Sequence, residues 1–250
     1  YLLIKRLSSS YKLVDEMQCI QHALNNLQGT LSRQNSAPKT RVYGYSGKAV
    51  DNLLSEFSKA SQNLRFIREQ ARKWSSYVKE DIRSNGLVRQ NFGISIQQWL
   101  HTVDGFVGTI QSDIKTAKQE SHRHTLTKVF LSTKWLRNQI QLVHSFCDHL
   151  CDCSLRGGAL LDAMFRLVLK LENRSSALPT NRWQDGVPSV IRTFLEDSLQ
   201  PYFRHIDTWM SYGESWDPCH DFSTPQLSEV SGSLPSFAGN GAENILIICL

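Results

Sequence analysis

The residue types best suited to chemistry crowd into positions 144–153: His144, Cys147, His149, Cys151 and Cys153. Imidazole and thiolate are the usual ligands of structural zinc. Such a site needs four donors converging on one point, commonly from turn-forming Cys-x-x-Cys knuckles. Here the local pattern is helical, so Cys147 and Cys151 share a face while His149 and Cys153 point elsewhere. Buried helical cysteines beside exposed histidines are therefore expected, and no metal is assigned.

The other candidates resolve the same way. His122 and His124 flank Arg123 at a helix boundary and read as solvated polar residues. Gly157-Gly158 precedes a helix and could cradle a phosphate on free backbone amides. No strand leads into it and no Gly-x-Gly-x-x-Gly or Walker pattern extends it, so a tight interhelical turn is expected. Asp217, His220 and Asp221 surround Pro218, which suits a hydrogen-bonded turn. Gly-x-Ser-x-Gly and His-Glu-x-x-His are both missing from the sequence. These readings point to a non-enzymatic protein without a cofactor; a small metal-dependent enzyme using His144, Cys147 and Cys151 is the rival that metal analysis would decide.

What would hold these residues is helix after helix. The 250 residues are 40% hydrophobic and 20% charged, enough to bury a sizeable core. Net charge is +5, with Lys and Arg interspersed and no basic stripe of the kind phosphate backbones select, so no nucleic acid is expected. Six scattered Cys in a chain of this size suit a reducing compartment. No apolar run approaches the ~20 residues of a membrane span.

The longest amphipathic stretch runs from Val187 to Phe222. Val187, Val190, Ile191, Phe194, Leu195, Leu199, Tyr202, Phe203, Ile206 and Met210 line one helical face, with Pro201 predicting a kink and Gly213 a stop. Trp209 stands at i+3 from Ile206 and is expected to pack against the bundle, with the Asp217-Pro218 turn locking the helix end. A second clean pattern starts at Ser46, a natural N-cap, and steps through Val50, Leu53, Phe57, Ala60, Leu64, Ile67, Ala71, Trp74 and Val78. It suits an intramolecular bundle helix, and Leu53, Phe57, Leu64, Ile67 and Trp74 also make it a candidate interaction helix; dimerisation of a generic helical adaptor through the Val50–Val78 seam is the alternative.

Further helices are read from Leu7 to Leu31, through Ile96 and Trp99 to Ile114, from His124 to Cys151, and from Ala159 to Leu171. The last is apolar nearly all round and expected to be central. Ser84-Asn85-Gly86 and Asn91-Phe92-Gly93 are read as a loop. Gly105 and Gly108 suggest close helix packing. With no period-2 alternation, the fold class is all-α: an elongated bundle of about six helices over 1–222, followed by a flexible Ser/Gly/Pro tail at 223–250. The tail ends in an apolar hexamer that reads as the start of a missing second domain. Tyr1 in place of an initiator Met leads us to expect a fragment.

The stretch Pro201-Tyr202-Phe203-Arg204-His205-Ile206-Asp207-Thr208-Trp209-Met210-Ser211-Tyr212-Gly213, closing on Asp217-Pro218-Cys219-His220-Asp221-Phe222, resembles a motif of the gamma-tubulin complex components, in their first conserved (grip motif 1) domain. Gly157-Gly158-Ala159-Leu160-Leu161 resembles that family's Gly-Gly-x-Leu-Leu. Asp221 stands where the family usually has Glu, Ser223 replaces a second Phe and Trp216 an aliphatic, as in a divergent member such as the fifth or sixth type. The resemblance implies a structural subunit that makes lateral contacts with sister components and supports microtubule nucleation at microtubule-organising centres (centrosome or spindle pole body). It also implies that gamma-tubulin, held by the second domain in this family, is met only indirectly.

Overall fold

A computed structural model describes residues 12–13, 16–28, 40–42, 45–76, 79–119, 125–151, 155–176, 186–214 and 217–222. Among them are seven helices: α1 (Glu16–Gln28), α2 (Gly47–Trp74), α3 (Lys79–Gln119), α4 (Leu126–Ser132), α5 (Lys134–Cys151), α6 (Gly157–Ser176) and α7 (Gly186–Tyr212). The class is all-α. One small exception to the strandless reading is a two-residue parallel pairing of β1 (Lys12–Leu13) with β2 (Thr40–Arg41). Val78, His122, His124, Cys153, Trp216 and the tail from 223 to 250 lie outside the described residues.

α2 and α3 form the spine. α1 and α5 pack on α2, α7 lies along α3, and α6 fills the angle between α3 and α7. Ser46 caps α2, its hydroxyl accepting from the Ala49 amide at 3.2 Å. Val50, Leu54, Phe57, Ala60, Leu64, Ile67, Ala71 and Trp74 then bury one face of α2 inside the bundle. The seam read as a candidate interaction surface is thus core: Phe57, Leu64, Ile67 and Trp74 are inaccessible to a partner, Leu54 takes the inward position, and Leu53 sits half-buried beside it.

α3 differs most from expectation. Asn91-Phe92-Gly93 is inside the helix, and only Gly86 (φ 79°, ψ 162°) breaks it. Gly93 lies against the backbone of Trp74 and Ser75, too close for a side chain. Phe92 is accordingly a core residue. It stacks on Trp74 (ring centroids 5.2 Å) and meets Phe146 and Phe194 edge-on at 5.8 and 5.9 Å, joining α2, α3, α5 and α7. Polar ties reinforce the spine: Arg68 pairs with Asp104 at 2.5 Å, and Gln97 Nε2 donates to Ser75 Oγ at 2.6 Å. No neighbour approaches Gly105 or Gly108, so close packing does not account for them.

The expected helix from 124 to 151 is two. Thr125 caps α4, and the buried Thr133 ends it by donating its hydroxyl to the Val129 carbonyl at 2.8 Å. α6 is less central than its composition suggests. Leu160, Leu161, Met164 and Val168 are buried, whereas Leu169 is exposed, because α6 packs on one side only.

Helical assignment in α7 continues through Pro201. Proline has no amide hydrogen, so the Asp197 carbonyl four residues earlier loses its helical donor. Asn91 Nδ2 from α3 donates to that carbonyl at 3.4 Å, and Ser95 Oγ donates to the Asp197 carboxylate. The neighbouring helix thereby satisfies the group that Pro201 orphans.

Phe92→Ala should open a cavity where four helices meet and cost about 3–5 kcal/mol. Thermal denaturation is expected to show a melting temperature lowered by roughly 2–4 °C per kcal/mol, as in domains of this size. An unchanged transition would mean the aromatic junction is not what joins the helices.

Candidate functional site

The sequence motifs at 86, 157–158 and 217–222 come together at one end of the α3–α7 pair. Asp217 begins the terminal turn, its carboxylate accepting from the Asp221 and Phe222 amides, each at 2.8 Å. His220, at φ 54°, donates its amide to the Asp217 carbonyl at 3.2 Å. The turn so formed points Asp221 inward. Asp221 Oδ2 accepts from the amide of Leu87 at 2.6 Å and that of Val88 at 3.4 Å, at the start of the helix that resumes after Gly86. The Asp221 carbonyl accepts from the Gly158 amide at 3.3 Å. One residue therefore caps two helices, α3 beyond its break and α6 at its N-terminus, where amides have no intrahelical acceptor.

Two glycines make room. Gly86 and Gly157 both have positive φ (79° and 50°), and a Cβ on either would overlap Asp221, its carboxylate in the first case and its backbone in the second. Phe222 fixes the other edge, its ring 5.2 Å from Tyr202 and 5.5 Å from His205. Arg89 Nη2 donates to the Leu155 carbonyl at 2.8 Å, binding α3 to the strap before α6.

The Asp221 side chain is wholly shielded from solvent, and its Oδ1 accepts no hydrogen bond; Arg156 stands 3.9 Å away. Burial pushes the Asp221 carboxyl above its usual range, opposed by the Leu87 and Val88 amides and by Arg156. Burial likewise raises the Cys219 thiol, aided by the Asp221 and Asp217 carboxylates. The Asp221 carboxylate holds the backbone amides of Leu87 and Val88.

The 217–222 turn closed on Gly86 and Gly157 forms a clasp. Leu160 and Leu161 are buried in α6, Pro201 is buried in α7, and Tyr202 and Phe222 are half-buried. Pro218 is exposed on the turn. Gly213 (φ 70°) ends α7, its amide donating to the Trp209 carbonyl at 2.9 Å. Trp209 corrects the expectation of a packed indole: it is 61% exposed, with Met210 at 75% and Tyr212 at 77%. The last inward residue of α7 is His205, and every position from 209 to 214 is exposed. The helix runs on past the surface that would have covered Trp209, so its apolar face continues into solvent. Phe203, read as inward from its spacing, is likewise exposed and lies against Tyr202.

The remaining candidates are dispersed. Cys147 lies in the core, where burial raises its thiol far above the ordinary range. His144 tilts against Phe66 at 4.8 Å, and His149 is exposed. Among the described residues no three His, Cys, Asp or Glu groups converge on a metal-sized point, and no helix is long and apolar enough to cross a membrane. Sequence reasoning missed the pairing of Asp221 with Gly86; the Ser-Asn-Gly punctuation marked the break but not its partner.

The class is thus an all-α bundle in which the 217–222 turn caps two helices and the end of α7 is left exposed. The profile described as Gamma tubulin complex component N-terminal matches residues 17–223, which spans α1 through the clasp. The chain belongs to the gamma-tubulin complex component family. Comparison with curated proteins gave no match.

Clasp and helix end should separate in mutagenesis. Asp221→Ala is expected to cost about 1–3 kcal/mol, as a buried amide loses its acceptor, while Trp209→Ala should stay within about 0.5 kcal/mol of wild type, as exposed sites do. Because the folded carboxyl titrates above its ordinary 3.8, its contribution is full below that value and is lost as pH rises through the folded pKa. Denaturant titrations from acid to neutral pH should therefore show wild type losing ground relative to Asp221→Asn. Parallel pH profiles would show that the carboxyl does not titrate abnormally.

Proposed function

We propose that this chain is a structural subunit of a gamma-tubulin complex, packing side by side with sister components to support microtubule nucleation at microtubule-organising centres. The observation that carries the reading is the family match over 17–223, which takes in α2 to α7 and all of α1 but Glu16. Gamma-tubulin is reached through the assembled complex and not through these helices.

The exposed end of α7 supports a role in association. Trp209, Met210 and Tyr212 together expose more large apolar surface than isolated residues normally do, and aromatic and Met side chains are enriched at the centres of protein interfaces. The rival reading, an adaptor dimerising through the α2 seam, conflicts with the burial of that seam in the bundle.

Co-expression with sister gamma-tubulin complex components, followed by affinity purification, tests the proposal. Sister components should co-purify in the absence of gamma-tubulin. The double change Trp209→Ala/Met210→Ala should reduce recovery about tenfold, equivalent to 1.4 kcal/mol, at an unchanged melting temperature. A well-folded chain that recovers gamma-tubulin but no sister component, or that forms a homodimer on its own, would overturn it.

A further inference from the structure

A groove of about 270 Å³ lies between α2, α4 and α5, away from the clasp and from the α7 end. Its floor is Arg137. That residue is only 9% exposed, and its guanidinium lies 3.7 Å above the Phe130 ring and 5.0 Å from the Phe57 ring. Nη1 donates to the Phe130 carbonyl at 3.0 Å and to Thr133 Oγ1 at 2.9 Å, which holds the plane of the fork. The hydrogen bonds it makes among the described residues use Nη1 alone, and no described carboxylate pairs with it within 4.0 Å.

A buried guanidinium without a paired anion is unusual, because removing the charge from water is costly unless a counter-charge repays it. Glu56 lines the same groove and acts on Arg137 at longer range, but Lys59 and Lys134 line it too. Three cationic side chains thus face one acidic one. The planar fork, already oriented by two bonds, suits a carboxylate received in bidentate fashion.

The remaining lining points to a protein segment as the source of that carboxylate. Leu131, on the rim, is 61% exposed, and a free inorganic anion could make no use of it. The volume also falls below the ~300–1,000 Å³ typical of small-molecule sites and suits one or two inserted side chains. We propose that this groove receives an acidic side chain from a segment of a partner protein, with Arg137 taking the carboxylate and Leu131 the adjacent apolar residue. The site is separate from the surfaces invoked for association with sister components, and its test requires none of them.

The probe is a fluorescein-labelled peptide of alternating Glu and Leu, titrated with the full chain and followed by polarisation, beside the same peptide with Gln for Glu. Binding of the Glu peptide is expected to be at least about tenfold tighter and to weaken with salt, as screening requires. Arg137→Lys, which keeps the charge but removes the fork, should lose about tenfold. Because Arg137 also ties α4 to α5, two further variants guard against a folding defect. The exposed pair Lys59→Gln/Lys134→Gln should weaken binding, and Glu56→Gln should strengthen it, both at unchanged melting temperature. Equal binding of the two peptides, no binding of either, or indifference to all three variants would overturn the proposal. Displacement of the Glu peptide by inorganic phosphate as readily as by unlabelled peptide would also overturn it, by showing a general anion site.

Discussion

The helix starts at residues 87 and 157 depend on one aspartate taken out of water, its carboxylate serving the first and its backbone carbonyl the second. Asp221 belongs to a six-residue turn near the end of the described chain, yet its acceptors serve amides at positions 87, 88 and 158. Each of those amides lies in the first turn of a helix, where no carbonyl of the same helix can reach it. The positive ends of helix dipoles favour an anion there, which offsets part of the desolvation that raises the Asp221 carboxyl. Asp217 supports the arrangement by tying the turn to itself. The backbone can then approach closely only because residues 86 and 157 lack side chains.

The same physical solution recurs along the bundle. Glu16 of α1 accepts from the Leu126 amide at 2.7 Å, supplementing Thr125 at the start of α4, and from the Tyr45 hydroxyl at 2.9 Å. Asn91 supplies the donor that Pro201 removes from α7. In each case a polar group left over by one helix is completed by a side chain remote in sequence. An unsatisfied buried group of this kind costs about 1–3 kcal/mol, a large share of the ~5–15 kcal/mol that holds a domain together. These tertiary caps and the aromatic junction at Phe92 make the helices mutually dependent.

The groups that first suggested chemistry are committed elsewhere. The Cys147 thiol is in the core, the Asp217 carboxylate closes a turn, and the Gly157-Gly158 pair receives a carbonyl of its own chain in place of a phosphate. What remains on the outside is an apolar helix end at 209–212 and a cationic groove floored by Arg137.

Helical class, the α2 face from Val50 to Trp74, the Ser46 cap and the Gly213 stop were legible in the sequence, because each follows from local spacing or from a single residue's backbone preference. The resemblance at 201–222 was legible too, since it rests on residue identities. Local signals misled where two helices meet. Asn91-Phe92-Gly93 carries turn residues but stays helical, because Phe92 is held by Trp74, Phe146 and Phe194. Trp209 falls on the inward face by periodicity and is nevertheless exposed, since periodicity gives a side chain's direction but not where the neighbouring helices end. The partnership of Asp221 with Gly86 and Gly157, and the Arg137 groove, join residues far apart along the chain. Spacing along the sequence by itself determined which faces are apolar; only the packed helices decided which of them are covered.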